Sequence, residues 1–119
     1  MIEYDESRPI YLQVADYCLQ QIESGQWLAE SKIPSTKELA VTLGVNNRTI
    51  IKAYEELEAI GLVRVVRGQG YFCNSDVADR LRDHYRRQFE DCRIPDFLSA
   101  AEHCGYTLDD VLSMLERRR

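Results

Sequence analysis

The sequence predicts a mainly α-helical fold with one small β-hairpin set among its helices. Three observations carry that prediction. Apolar residues recur near helical spacing along most of the chain. Serine/threonine boxes of the kind that open helices stand at Ser35–Glu38 and Thr107–Asp110. After Gly61 the pattern changes to β-branched and aromatic residues around a glycine-rich turn. With 119 residues, 45% of them apolar, the chain can build one compact domain with an appendage.

Each element has its own warrant. Pro9 stands at the entrance of a first helix over residues 10–24, where its fixed φ suits a first turn. Ile10, Val14, Tyr17, Cys18 and Ile22 form its apolar stripe, and Gly25 stops it. A loop through Trp27 and Pro34 leads to Ser35, which caps a short helix ending near Leu43, with Leu39, Ala40 and Leu43 facing inward. Gly44 breaks that helix and allows a sharp turn, Val45 plugs the angle between helices, and Asn46 caps a third helix running to about Ile60. Residues 62–66 and 71–73 read as two strands joined by Arg67-Gly68-Gln69-Gly70. Ser75 caps a longer helix to about Cys92, Pro95 interrupts, and a helix over about 96–104 ends at Gly105. Thr107 caps the last helix.

This order of helix, helix, glycine turn, helix and hairpin is that of a winged helix-turn-helix. The predicted division is a winged helix-turn-helix over residues 1–74 and a helical tail over 75–119. At 100° per residue, Ile50, Ala53, Tyr54, Leu57 and Ile60 fall on a core face of the third helix. Arg48, Ile51, Lys52 and Glu55 fall opposite. Asn46 and Asn47 stand at its N-terminus, where free backbone N–H groups favour phosphate. Asn47, Arg48 and Lys52 suit base edges or phosphates, whereas Glu55 and Glu58 would repel DNA. Only the first two turns are therefore expected to enter a major groove. The turn with Arg67, Gly68 and Gln69 supplies a second contact, to a minor groove or a phosphate.

Charge alone does not make this case. The net charge is −5; residues 1–74 carry seven Lys/Arg and ten Asp/Glu, and residues 75–119 carry eight and ten. Neither half is a basic block, so DNA binding must rest on where the cations point. The same acidity motivates an alternative, a winged-helix module that binds protein and not DNA. An enzyme is not expected: no Ser/His/Asp set, phosphate loop or paired-carboxylate pocket is legible, and His84 and His103 read as surface or packing residues. Cys18, Cys73, Cys92 and Cys104 form no CxxC pair or zinc spacing, so unpaired thiols and no metal or cofactor are expected. A redox or metal sensor built from Cys92, His103 and Cys104 is the narrower alternative. No apolar stretch approaches the roughly 20 residues of a membrane span, and the acidic N-terminus lacks a signal-peptide pattern. A cytoplasmic protein with no membrane partner is expected.

Several spaced segments together resemble a known family. Ile33-Pro34-Ser35-Thr36-Lys37-Glu38-Leu39-Ala40, Leu43-Gly44-Val45-Asn46, Thr49-Ile50, Ala53-Tyr54, Leu57-Glu58, Gly61-Leu62 and Arg67-Gly68-Gln69-Gly70-Tyr71-Phe72 resemble the GntR-type DNA-binding domain over about residues 9–74. Pro9-Ile10-Tyr11-Leu12-Gln13-Val14 is similar to the opening of its YtrA and MocR-like branches, and the short tail points to the YtrA-like subfamily. The resemblance implies a double-stranded DNA operator as partner. It implies DNA-contacting roles for Ser35, Lys37, Asn46, Asn47, Arg48, Thr49, Lys52, Arg67, Gly68 and Gln69. Ile51 departs from the family, many of whose members have an arginine there; it is suited to a thymine methyl. The resemblance also implies repression, with a transporter operon as the expected target.

The tail carries more apolar surface than a 45-residue helical pair can bury. Leu81, Tyr85, Phe89, Phe97, Leu98, Leu108, Val111, Leu112 and Leu115 are expected to pair with a second copy, giving a homodimer on a palindromic operator. The alternative is that the tail folds back on its own DNA-binding part. The tail is too short for an independent effector pocket, so any small-molecule effector would sit at a subunit interface or between tail and DNA-binding part.

Overall fold

The computed structural model describes residues 4–119, which fall into two compact units, residues up to Arg82 and Asp83–Arg119. The first unit holds α1 (Ile10–Glu23), α2 (Thr36–Leu43), α3 (Asn47–Ala59), β1 (Val63–Val66) and β2 (Gly70–Cys73). α4 (Val77–Gln88) begins in the first unit and ends in the second. The second unit continues through α5 (Ile94–His103) and α6 (Leu108–Glu116). This is the predicted mainly helical winged helix-turn-helix with its helical tail.

α1 starts after Pro9 and buries Val14, Ala15, Cys18, Leu19 and Ile22. Of its predicted stripe, Ile10 stays exposed and Tyr17 is half-buried. α2 buries Leu39, Ala40 and Leu43, and Gly44 ends it in the left-handed region at φ +70°. That conformation suits a glycine and turns the chain sharply into α3. Val45 packs against the core between the two helices. α3 buries Ile50, Ala53, Tyr54 and Leu57, the face predicted for it. The core also takes Trp27, Ile33, Leu62, Val63 and Cys73.

β1 and β2 pair antiparallel, with Val63 opposite Cys73 and Val66 opposite Gly70. The segment read as a plain loop adds a short third rung to this hairpin. Lys32 bridges Phe72, Ile33 N–H donates to the Tyr71 carbonyl at 3.0 Å, and Cys73 N–H donates to that of Ser31 at 3.0 Å. Asn74 closes the hairpin exit, its side-chain amide donating to the Gly61 carbonyl at 2.8 Å.

Two features of the later helices differ from expectation. α4 opens at Val77, whose N–H is accepted by the Asn74 carbonyl, and not directly after Ser75. Pro95 does not interrupt. A π-helical turn, Phe89–Arg93, joins α4 to α5, and Ile94 N–H reaches back to the Phe89 carbonyl. Proline has no N–H to give an interior turn, but here it stands in the first turn of α5, where that donor is dispensable.

Leu81 and Val111 stand apart from the rest of the expected pairing set. Leu81 is 6% exposed within the first unit's core, and Val111 is 4% exposed within the second unit. Both are packed by their own unit, so neither offers a free face. Tyr85, Phe89, Phe97, Leu98, Leu108, Leu112 and Leu115 remain exposed, with Phe89 at 57% and Leu108 at 61%.

Candidate nucleic-acid interface

The N-termini of α2 and α3 are built by side-chain capping. The Ser35 hydroxyl accepts from Glu38 N–H at 3.1 Å, and a Glu38 carboxylate oxygen accepts from Ser35 N–H at 3.1 Å. These bonds hold the Glu38 carboxyl below the usual carboxylate range. Lys37 stands exposed in the turn they fix. At α3, Asn46 Oδ1 accepts from Arg48 N–H at 2.8 Å, so the Asn46 side-chain carbonyl is occupied by the cap. Arg48 is exposed and Thr49 half-buried in the same first turn. Asn47 differs from expectation in its setting: it is only half-exposed, and its Oδ1 is buried and accepts no hydrogen bond from the described residues.

Tyr54 sets the orientation of α3. Its hydroxyl donates to the Pro34 carbonyl at 2.7 Å, tying α3 to the segment that enters α2. Its ring meets Tyr71 of β2 edge-on at 4.8 Å and Trp27 at 6.3 Å. One buried side chain thus fixes the recognition-type helix against both α2's entrance and the hairpin. Ile51 lies at the edge of exposure on the outer side of α3. Lys52 follows it, its ammonium 4.2 Å from the centre of the Tyr11 ring on α1.

At the hairpin tip Gln69 N–H donates to the Val66 carbonyl at 2.9 Å, and Gly68 takes φ +78°. Arg67, Gly68 and Gln69 are all exposed. The third rung sets Lys32 beside Gly70, so close that a Cβ at this glycine would meet the lysine side chain at 3.1 Å. Sequence reasoning misses Lys32 because nothing local marks a loop residue that pairs with a distant strand.

The seven cations of residues 1–74 divide into two groups. Arg8 pairs with Asp16 at 2.8 Å, and Arg64 pairs with Glu30 at 3.4 Å while donating to the Cys73 carbonyl. Lys32, Lys37, Arg48, Lys52 and Arg67 make no ion pair among the described residues. Lys37 and Arg48 stand in the first turns of α2 and α3, Lys52 a turn further along α3, and Lys32 and Arg67 on the hairpin and its short third rung. The acidic half of α3 reaches Tyr71 of β2: its hydroxyl pKa is raised first by burial and then by Glu58 and Glu55. The overall negative charge therefore coexists with five cations that make no ion pair among the described residues.

The four cysteines are free; Cys18 and Cys73 are buried, and burial pushes both thiols up. Cys92 and Cys104 are exposed. Among the described residues no three His, Cys, Asp or Glu side chains group to hold a metal, and no helix is long and apolar enough to cross a membrane.

Comparison with known proteins bears on this surface. The model of the gntR family of bacterial regulatory proteins matches residues 10–73, from α1 through β2. The chain belongs to the GntR family. YhcF, an HTH-type transcriptional regulator of Bacillus subtilis, is 32% identical over 112 residues, covering 92% of this chain and 89% of that protein. The HTH-type transcriptional repressor YtrA of the same organism is 34% identical over 83 residues, covering 68% and 64%. A GntR family transcriptional regulator from Listeria monocytogenes superposes with a TM-score of 0.74 at 30% identity, covering 96% of this chain and 98% of that one. AraR(DBD), solved in complex with operator ORR3, matches with a TM-score of 0.55 at 34% identity over 61% of this chain and 88% of its own. This GntR chain is a YtrA-like, DNA-binding transcriptional regulator and not an enzyme. That decides between the two readings of its acidic charge.

Proposed function

We propose that this regulator is a homodimeric repressor that reads a palindromic operator with the first two turns of α3 and steadies itself with the hairpin. The observation that carries the reading is the exposed Arg48 in the capped first turn of α3, which makes no ion pair among the described residues, with Lys37 and Arg67 exposed on the neighbouring elements. Arg48 suits a guanine edge or a phosphate, Lys37 and Arg67 suit phosphates, and the backbone at Gly68 suits close approach to the duplex. Ser35, Asn46 and Thr49 shape the same surface. The half-open apolar faces of α5 and α6 support pairing between copies, through Phe97, Leu108, Leu112 and Leu115, with Tyr85 and Phe89 before them. Fully burying one such side chain is worth about 1.5–3 kcal/mol. The similarity to YtrA, a transcriptional repressor, supports repression.

The test is selection of bound sequences from a random duplex pool by the full chain. The expected result is a palindrome with half-sites about one helical turn apart. Placing that palindrome on the genome tests the expected transporter operon, and a reporter behind it tests repression. Arg48→Ala should lower affinity for the selected duplex by about 1–3 kcal/mol without changing the melting temperature. Enrichment of single half-sites, or unchanged affinity in that variant, would count against the dimeric reading and the Arg48 assignment respectively.

A further inference from the structure

Lys52 differs from the other cations of the first unit in how it is held. Arg8 and Arg64 are fixed by carboxylates, which also neutralise them, and Arg64 lies in addition 5.7 Å from the Phe72 ring centre. Lys52 makes no ion pair among the described residues; its ammonium lies 4.2 Å from the Tyr11 ring centre. A ring quadrupole attracts a cation and orients it without cancelling its charge. Tyr11 is half-buried in the first turn of α1, a helix anchored in the core by Val14 and Cys18, so the ring is carried on a fixed backbone. Lysine is otherwise a flexible stem whose ordering opposes binding. A platform that orders the stem before DNA arrives removes part of that cost.

We propose that Tyr11 is a positioning residue for DNA binding, its ring holding the Lys52 ammonium ready for a backbone phosphate. The inference rests on the proposed use of α3 as the DNA-facing helix. It brings into the interface a residue of α1 that touches no base, and it gives Lys52 a sequence-independent role in place of base reading.

The experiment measures binding of the full-length protein to a labelled mixed-sequence duplex of about 20 base pairs, two helical turns, across salt from about 50 to 200 mM. The variants are Tyr11→Phe, Tyr11→Leu, Lys52→Ala and the double variant Tyr11→Leu/Lys52→Ala, each checked by thermal melting. Loss of one phosphate contact should flatten the log–log salt slope by about 0.9, and Lys52→Ala is expected to do so. Tyr11→Leu should weaken binding about two- to tenfold, while Tyr11→Phe, which keeps the ring, should bind as the unaltered protein does. In the Lys52→Ala background Tyr11→Leu should cost nothing more. Independent, multiplying losses, an unchanged slope in Lys52→Ala, or a Tyr11→Phe as weak as Tyr11→Leu would overturn the assignment. If the unaltered protein itself shows no salt-dependent binding, the reading of α3 falls first and takes this one with it.

Discussion

Asn47 and Arg48 are adjacent residues that make opposite predictions. The Asn47 Oδ1 is buried and accepts no hydrogen bond from the described residues, and a buried acceptor that stays unsatisfied costs about 1–3 kcal/mol. Asn47→Ala removes the orphaned oxygen and places a better helix former in the first turn of α3. It should raise the melting temperature and lower affinity for the selected duplex. Arg48, exposed and spending only its backbone N–H on the cap, should change affinity alone. Thermal melting beside DNA titration separates the two; a destabilised Asn47→Ala would show that its amide supports the fold. Helical spacing places both residues at the start of the outer face, but it does not reveal that one side-chain oxygen is covered. The Tyr11–Lys52 contact escapes the sequence for a related reason. It joins α1 to α3 across the tertiary fold, and nothing within either helix points to the other.

Among the helices and strands, the boundaries most legible in the sequence are those set by local chemistry. The Ser35–Glu38 and Thr107–Asp110 boxes, the Asn46 cap and the Gly44 turn all lie where the residues place them, because each depends on atoms within about one helical turn. The third rung at Lys32 and the π-helical turn before Pro95 are not legible, since each depends on chain geometry beyond the local pattern. The α2 box has a pH signature. Glu38 is held below its ordinary pKa first by its bond to Ser35 N–H. A depressed folded value stabilises above the unfolded pKa and loses that contribution as pH falls through the folded one. Stability from this box should therefore be complete at neutral pH and fade only in acid. Glu38→Gln keeps an acceptor for Ser35 N–H but cannot titrate. Its melting temperature should fall less steeply than that of the unaltered protein on acidification below the carboxylate range, and parallel acid limbs would rule the box out as a contributor. Ser35→Ala, which removes the cap itself, should cost about 1 kcal/mol at neutral pH.

For the assembled chain, the deciding quantity is apolar surface. Periodicity identifies which tail residues are apolar on one face, but it does not say what covers them. The structure divides them: Leu81 and Val111 are spent inside their own units, while Phe89, Phe97, Leu108, Leu112 and Leu115 remain half-open or more. A two-fold pairing would cover these last residues and supply two copies of α3. Binding then depends on pairing twice over, because the second half-site engages at an effective concentration set by the first. Leu112→Asp puts a charge on the exposed face of α6 without entering the core. It should sediment as a monomer, keep the melting behaviour of the first unit, and bind a single half-site as the unaltered protein does. On the full palindrome it should lose the avidity gain, about a hundredfold or more. Equal loss on the half-site and the palindrome would mean that the substitution damages the DNA-binding unit itself. A dimer that persists with full affinity would place the pairing surface elsewhere and leave the open faces of α5 and α6 to another partner.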